Sequence, residues 1–180
     1  MNDPKRLART GGDFVQPLNL RTTFVNYLSP TSISIRPDFP WQSARPRATV
    51  ERFPETRLDY VEEYASLTVT NPIWLVLTLL GSVLIARRAS MRPNPFARFR
   101  PILIGAAVGG SSIFVVACIT QRYLHDLFPL FVIAGAVAWQ GLSLLLKPRT
   151  SRWAVAALSL LAVLGLHANI AVSLSMRRWI

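Results

Sequence analysis

Beyond Glu63 the chain is almost without acid: Asp126 is the only carboxylate residue from position 64 to the C-terminus. Cysteine is equally scarce. Cys118 is the only one in 180 residues, so no internal disulfide can form and the redox compartment cannot be read from it. Its neighbours Val115, Val116, Ala117 and Ile119 make it a small buried apolar residue by default. Phosphate-binding signatures of the Walker A or GxGxxG kind are missing, and so is a GxSxG elbow, which leaves nucleotide chemistry and Ser/His/Asp hydrolysis without support. His125 and His167 lie far apart, so together with one buried thiol they do not supply the three or four ligands that zinc requires. The opening MNDPKRLARTGGDF carries charge with no apolar run behind it, and no cleavable signal peptide is visible.

What the chain does have is apolar length. It is 51% hydrophobic with a mean hydropathy of +0.34, too apolar for an ordinary soluble domain and blocked out as expected of a bilayer protein. The net charge of +11 is placed unevenly: residues 1–70 hold nine Lys or Arg against eight Asp or Glu, and residues 71–180 hold eleven against one. That excess sits in the connections between apolar runs, which marks topology and contact with anionic headgroups. No aromatic-basic interleaving accompanies it, so nucleic acid is not an expected partner. Arg outnumbers Lys eighteen to two, as in a GC-rich bacterial genome.

Residues 1–70 read as a polar, proline-punctuated region. Over residues 19–28 the apolar Leu20, Phe24, Val25 and Leu28 share one face of a short helix that ends before Pro30. Such an amphipathic helix either lies on a membrane surface or covers a neighbouring helix bundle. From 32 to 41 the reading is extended chain, because Ile33 and Ile35 alternate with serines and Pro37 and Pro40 forbid a helix; Phe39, Pro40 and Trp41 then offer rigid aromatics for a headgroup layer. Residues 42–63 read as a charged loop lying over the helices and partly ordered by them, ending in Asp59, Glu62 and Glu63.

Four membrane spans are expected over about 71–86, 101–120, 128–146 and 153–176, giving an all-α integral membrane protein with a mostly irregular N-terminal region. The first, at ~1.5 Å per residue, reaches only about 24 Å against a hydrocarbon core of ~30 Å, with Arg87 and Arg88 able to snorkel. Small residues Gly105, Gly109 and Gly110 in the second run, and Gly135 and Gly141 in the third, predict close helix packing. Arg87, Arg88, Arg92, Arg98 and Arg100 fall between runs one and two, and Lys147, Arg149 and Arg152 between three and four. The positive-inside rule puts these in the cytoplasm, so the N-terminal region and both termini are expected outside a bacterial inner membrane. Carrying seventy polar residues across ahead of the first span, with no signal sequence, points to a C-terminal portion of a longer polytopic protein. No internal repeat supports a complete two-halved transporter.

One polar island interrupts the apolar half: Gln121-Arg122-Tyr123-Leu124-His125-Asp126-Leu127-Phe128-Pro129. On a continuing helix Arg122 and Asp126, four apart, share a side and can pair. Arg122, Tyr123, His125 and Asp126 are then candidates for a phosphate or lipid-headgroup site, with the guanidinium as planar donor and the carboxylate orienting it or taking a proton. The bland reading is an interfacial loop kept wet by its charges and anchored by Tyr123. His167 and Asn169, within the last run, are either functional or interhelical hydrogen-bonding glue.

The island, with Thr120 before it and Leu130 after, resembles the "RYxxDFxP" element closing the membrane portion of large uncharacterised bacterial polytopic proteins, and the "RYLLPxLP" element of GT-C type, polyprenyl-phosphate-sugar-dependent glycosyltransferases. The stretch through Asn19, Leu20, Tyr27, Leu28, Ser29 and Pro30 to Phe39, Pro40 and Trp41 is similar to the extracytoplasmic segment preceding the last spans of the uncharacterised group. The resemblance implies a C-terminal membrane segment in which Arg122 approaches a lipid-linked phosphate. GT-C enzymes carry their catalytic acid in a first extracytoplasmic loop that has no counterpart here, so this chain is not expected to catalyse glycosyl transfer alone. No catalytic residue, metal or cofactor is assigned. The expected partners are membrane lipids, a polyprenyl-phosphate-linked sugar, and other transmembrane helices or an upstream polypeptide. A non-catalytic scaffold packing through the 105–110 face is the alternative, and a proton-coupled transporter using His125, Asp126 or His167 a third.

Overall fold

The computed structural model describes residues 10–11, 13–30, 33–44, 53–62, 64–87 and 94–177, the side chains of 121–123, 149 and 175–177 lying outside that description. Arg52, Arg88, Arg92 and Arg178, counted in the charge pattern, also lie outside it. The chain is mostly helical. In order, α1 is Leu20–Leu28, β1 Ile33–Ile35, β2 Gln42–Ala44, β3 Tyr60–Val61, α2 Leu67–Thr70, α3 Pro72–Ala86, α4 Arg100–Ser111, β4 Cys118–Ile119, α5 Phe128–Leu145 and α6 Pro148–Arg177.

Proline opens α3, α4 and α5 within their first two positions, where a missing N–H costs nothing and the fixed φ favours the helix. The tightest helix pair is α3 against α5. A Cβ on Gly81 would overlap the Ala134 carbonyl, one on Gly135 would stand 3.2 Å from the Trp74 ring, and one on Gly141 would strike Leu84. Gly165 of α6 meets Pro72 and the Thr70 carbonyl at 2.9 Å. The expectation of close packing at Gly135 and Gly141 therefore holds, and Gly81 and Gly165, which carried no prediction, belong with them. Among the described residues Gly105 and Gly109 meet no other helix of this chain, with nothing within 4 Å of a Cβ at either, while Gly110 sits against Leu127 and the Asp126 carbonyl.

The helix expected over 101–120 stops at Ser111. A 3-10 turn Ser112–Phe114 follows, and the chain then runs extended. Val116 bridges Val15, Ala117 N donates to the Phe14 carbonyl at 2.9 Å, and β4 pairs in parallel with β3, Cys118 beside Tyr60 and Ile119 beside Val61. The run Val-Val-Ala-Cys-Ile-Thr is as apolar as a span but rich in β-branched residues, which lose rotamer freedom in a helix and suit a paired strand. Twelve residues of α4 amount to about 18 Å, well short of a ~30 Å bilayer core.

Among the described residues two helices are long and apolar enough to cross a membrane, over Leu124–Leu145 and Thr150–Leu174; α3 is a shorter apolar helix. In those two windows only 39% and 28% of residues are buried, and large side chains such as Leu144, Leu160, Val163 and Leu166 stand outward. At the far end of α3 the backbone carbonyls are closed by side chains: Asn94 Nδ2 donates to Leu84 and Arg87 oxygens at 2.8 and 2.9 Å, and Arg100 Nε to Ile85 at 3.0 Å. These satisfy C-terminal acceptors that the helix itself cannot, and the guanidinium suits the negative end of the helix dipole.

The extended reading of 32–41 holds over β1 alone; 37–41 form a turn, and Ser32 lies outside the described residues. β1 and β2 form an antiparallel hairpin with Ile33 opposite Ala44 and Ile35 opposite Gln42. Its turn includes a cis Phe39–Pro40 peptide, and Trp41 adopts a left-handed φ of +62°, unfavourable for a side-chain-bearing residue by about 1–2 kcal/mol. Trp41 N donates to Asp38 O at 2.7 Å, and the Trp41 indole stacks on His167 of α6 at 6.2 Å with Phe39 edge-on at 5.2 Å. Ala44, Ile33 and Ala65 pack on Val172. The hairpin thus rides on the last turns of α6.

Gly81→Ala should destabilise the protein by about 1–3 kcal/mol, the usual cost of overpacking, whereas Gly105→Ala should cost nothing. Thermal unfolding of both variants in one detergent checks this; equal midpoints would contradict the α3–α5 contact.

Candidate functional site

The end of the bundle where α3 and α5 begin and α4 and α6 finish carries the N-terminal region and the polar island. Residues Gln121–Leu127 form a seven-residue 3-10 helix leading into α5. A 3-10 helix turns once in three residues, so positions four apart are out of register and the pairing expected of Arg122 with Asp126 loses its geometric basis. The side chains of Arg122 and Tyr123 lie outside the described residues. His125 and Asp126 are exposed, with the His125 ring 6.1 Å from Phe128, and Leu124 and Leu127 turn inward at 4% and 5% exposure. Leu124 and Leu127 therefore plug the core while His125 and Asp126 face outward. Of the four candidates, His125 and Asp126 are adjacent on that outer face.

Beneath the island lies a polar cluster that the sequence reading passed over. In α1 the buried residues are Thr22, Thr23, Asn26 and Tyr27, with Asn19 just ahead of them, and all five have no exposed surface. The apolar face does not seat this helix on the bundle, one of the two arrangements expected, and is largely outward: Leu20 is 53% and Phe24 50% exposed, though Leu28 does touch the core. The arrangement has a direct cause. Asn19 Nδ2 donates to the carbonyls of Arg57 at 3.0 Å and Val116 at 3.2 Å, and its Oδ1 accepts from Arg57 N at 2.8 Å. Thr22 and Thr56 hydroxyls meet at 2.5 Å, and Thr23 Oγ1 donates to the Phe114 carbonyl. Tyr64 OH donates to Asn26 Oδ1 at 2.6 Å. Tyr27 OH donates to Thr120 O at 3.1 Å and accepts from Thr120 N at 3.0 Å. One hydroxyl so completes the residue just past β4 on both its backbone groups.

These contacts bind two irregular segments, 53–57 and 114–120, to one helix. Such backbone would otherwise bury unpaired polar groups. Arg21 over the Phe53 ring at 3.9 Å adds a cation–π contact on the outside. Around the network close Leu58, Val61, Leu67, Ile113, Ile119 and Phe131, with Tyr27 edge-on to Tyr64 at 6.1 Å. Asn19, Thr22, Thr23 and Asn26 are spaced three, one and three apart, the spacing of a buried helical stripe, and that periodicity is the signal that could have found them.

Asn169 donates to Thr70 O at 2.7 Å and to Gly165 O at 2.9 Å, the interhelical role allowed for it, and His167 serves as the platform for Trp41. Among the described residues no three His, Cys, Asp or Glu come together as metal ligands. Comparison of the chain with protein-family models, with curated proteins and with solved structures finds no match.

Asn19→Ala leaves Arg57 N–H and two carbonyls without partners and should cost about 1–3 kcal/mol, whereas Phe24→Ser on the exposed face should cost under about 1 kcal/mol. Denaturant titration followed by circular dichroism ranks the two. The reverse order would mean that the apolar face, not the polar one, holds α1.

Proposed function

We propose that the chain is a membrane-integral helical module of a bacterial inner membrane that acts by packing against other helices, its N-terminal cap outside and its arginine-bearing connections in the cytoplasm. The observation that carries this is the state of the glycines. Each described helical glycine other than Gly105 and Gly109 meets a neighbouring element; those two, four apart on α4, meet open space with Ile102, Ile104 and Val108 exposed around them. Glycines at that spacing let a second backbone approach closely, which is how helices associate where lipid offers no hydrophobic driving force. The partner is the remainder of a longer polytopic protein or a separate assembly subunit. The long apolar side chains standing outward on α5 and α6 support insertion in lipid. The charge pattern supports the orientation, since Arg87, Arg98, Arg100, Lys147 and Arg152 lie at the bundle end opposite the cap.

A second reading keeps the GT-C resemblance: the turn Gln121–Leu127 holds the phosphate of a polyprenyl-linked carrier without catalysing transfer. Exposed His125 and Asp126 beside Phe128, where cap and bundle join, favour it.

With a photo-crosslinking residue at Val108, membranes should yield an adduct with another polypeptide, and Gly105→Leu should abolish it without lowering the unfolding temperature; an undiminished adduct rejects the packing face. Arg122→Ala should weaken polyprenyl-phosphate binding about tenfold, the worth of one charge-assisted hydrogen bond, and unchanged affinity rejects the second reading. For orientation, an impermeant maleimide on intact cells should modify Ile35→Cys and spare Lys147→Cys until lysis. The opposite pattern would invert the topology.

A further inference from the structure

From the basic end, a groove of about 580 Å³ runs between the start of α4 and the outer face of α5. Phe96, Phe99 and Ile102 form one wall, and Val132, Ala136 and Leu144 the other. Only Arg98 and Gln140 bring charge or amide to it. From Val132 to Leu144 the groove follows α5 for about 18 Å, close to the depth of one leaflet, half of a ~30 Å hydrocarbon core. That is the shape of a site for a hydrocarbon chain lying parallel to the helices.

The charge at its mouth selects the headgroup. Arg98 and Arg100 are two residues apart but differently engaged. Arg100 is committed to the carbonyls of Ile85, Ala86 and Arg87. Among the described residues the Arg98 guanidinium touches only the Phe99 ring, 5.1 Å away, and is exposed. Among the described residues the carboxylates belong to the N-terminal region, apart from Asp126, which lies at the start of α5 on the cap side. A planar donor over an apolar slot complements an anionic phosphodiester with an acyl tail.

We propose that this groove binds a phospholipid with a net-negative headgroup, one acyl chain seated between Phe99 and Ala136 and the phosphate on Arg98. The site rests on the membrane-integral reading, and is independent of the carrier site considered at the opposite end. It gives Arg98 a part beyond topology: the lipid fills the gap between α4 and α5 and fixes the shorter of the two helices against its neighbour.

Native mass spectrometry of the purified chain, with phosphatidylglycerol and phosphatidylcholine offered at equal concentration, tests it. One phosphatidylglycerol should be retained about fivefold more tightly, the preference expected of one arginine near a membrane surface. Arg98→Gln should remove that preference. Arg152→Gln, which removes the same charge away from the groove, should leave it intact. Ala136→Phe should reduce retention of both lipids by filling the slot, and since Ala136 and Arg98 are exposed, neither variant threatens the core. Equal retention of the two lipids, or a preference that survives Arg98→Gln, overturns the site. Carbonate extraction separates the two levels: protein that stays in the membrane yet shows no lipid preference sinks only the groove, and protein that washes off sinks the membrane reading with it.

Discussion

The buried polar face of α1 is the constraint on which the rest of this architecture depends. Most helices of this length are seated by hydrocarbon; this one is seated by amide and hydroxyl groups whose partners are backbone atoms of distant segments. A hydrophobic face tolerates sliding, because its attraction is non-directional. Asn19 and Asn26 do not, because each lost hydrogen bond leaves a desolvated group behind. The register of 53–57 and 114–120 against the helix is therefore specified by chemistry at a few points. With 114–120 drawn into the cap, the chain has to return to α5 through a tight turn, and Leu124 and Leu127 become core residues.

Away from the cap, order comes from different sources. The middle of the bundle depends on absent side chains, with Gly81, Gly135 and Gly141 bringing α3 and α5 together. The basic end depends on polar side chains reaching back to a helix terminus, Asn94 and Arg100 closing the carbonyls that α3 leaves open. Three solutions to backbone satisfaction and packing thus operate along one bundle: a polar latch, a glycine seam and a side-chain cap. Each is local, and α6 is the element long enough to run past all three.

Much of the helical frame was legible in the sequence because it follows from apolar run length and proline position: α3, α5 and α6 begin and end within a few residues of expectation, and the extended character of 33–35 followed from its alternation and prolines. The failures share one origin. Counting apolar residues does not distinguish a helix from a buried strand, so 115–120 was taken for the end of a span although its β-branched residues favoured pairing. Apolar periodicity leaves open whether α1 lies on a membrane or covers the bundle, while Thr22, Thr23 and Asn26 carry the same helical spacing and mark the buried face. Arginine near an apolar run was read as a topology mark alone, which hid the capping duty of Arg100. For the island, the sequence identified the residues that stay wet, His125 and Asp126; the α-helical pairing geometry assumed for Arg122 was undone by the 3-10 backbone.

The attachment of the hairpin to α6 has a mechanical corollary. Trp41 against His167 and Ala44 against Val172 couple a surface ribbon to the end of a thirty-residue rod, while the Asn169 amide and Gly165 hold that rod to the start of α3. Thr70 and Pro72 are its points of attachment, and the greater part of the rod runs on toward Pro148. With His167 between Gly165 and Asn169, the ribbon is seated where the rod is held on both sides, and its position is referred to the start of α3.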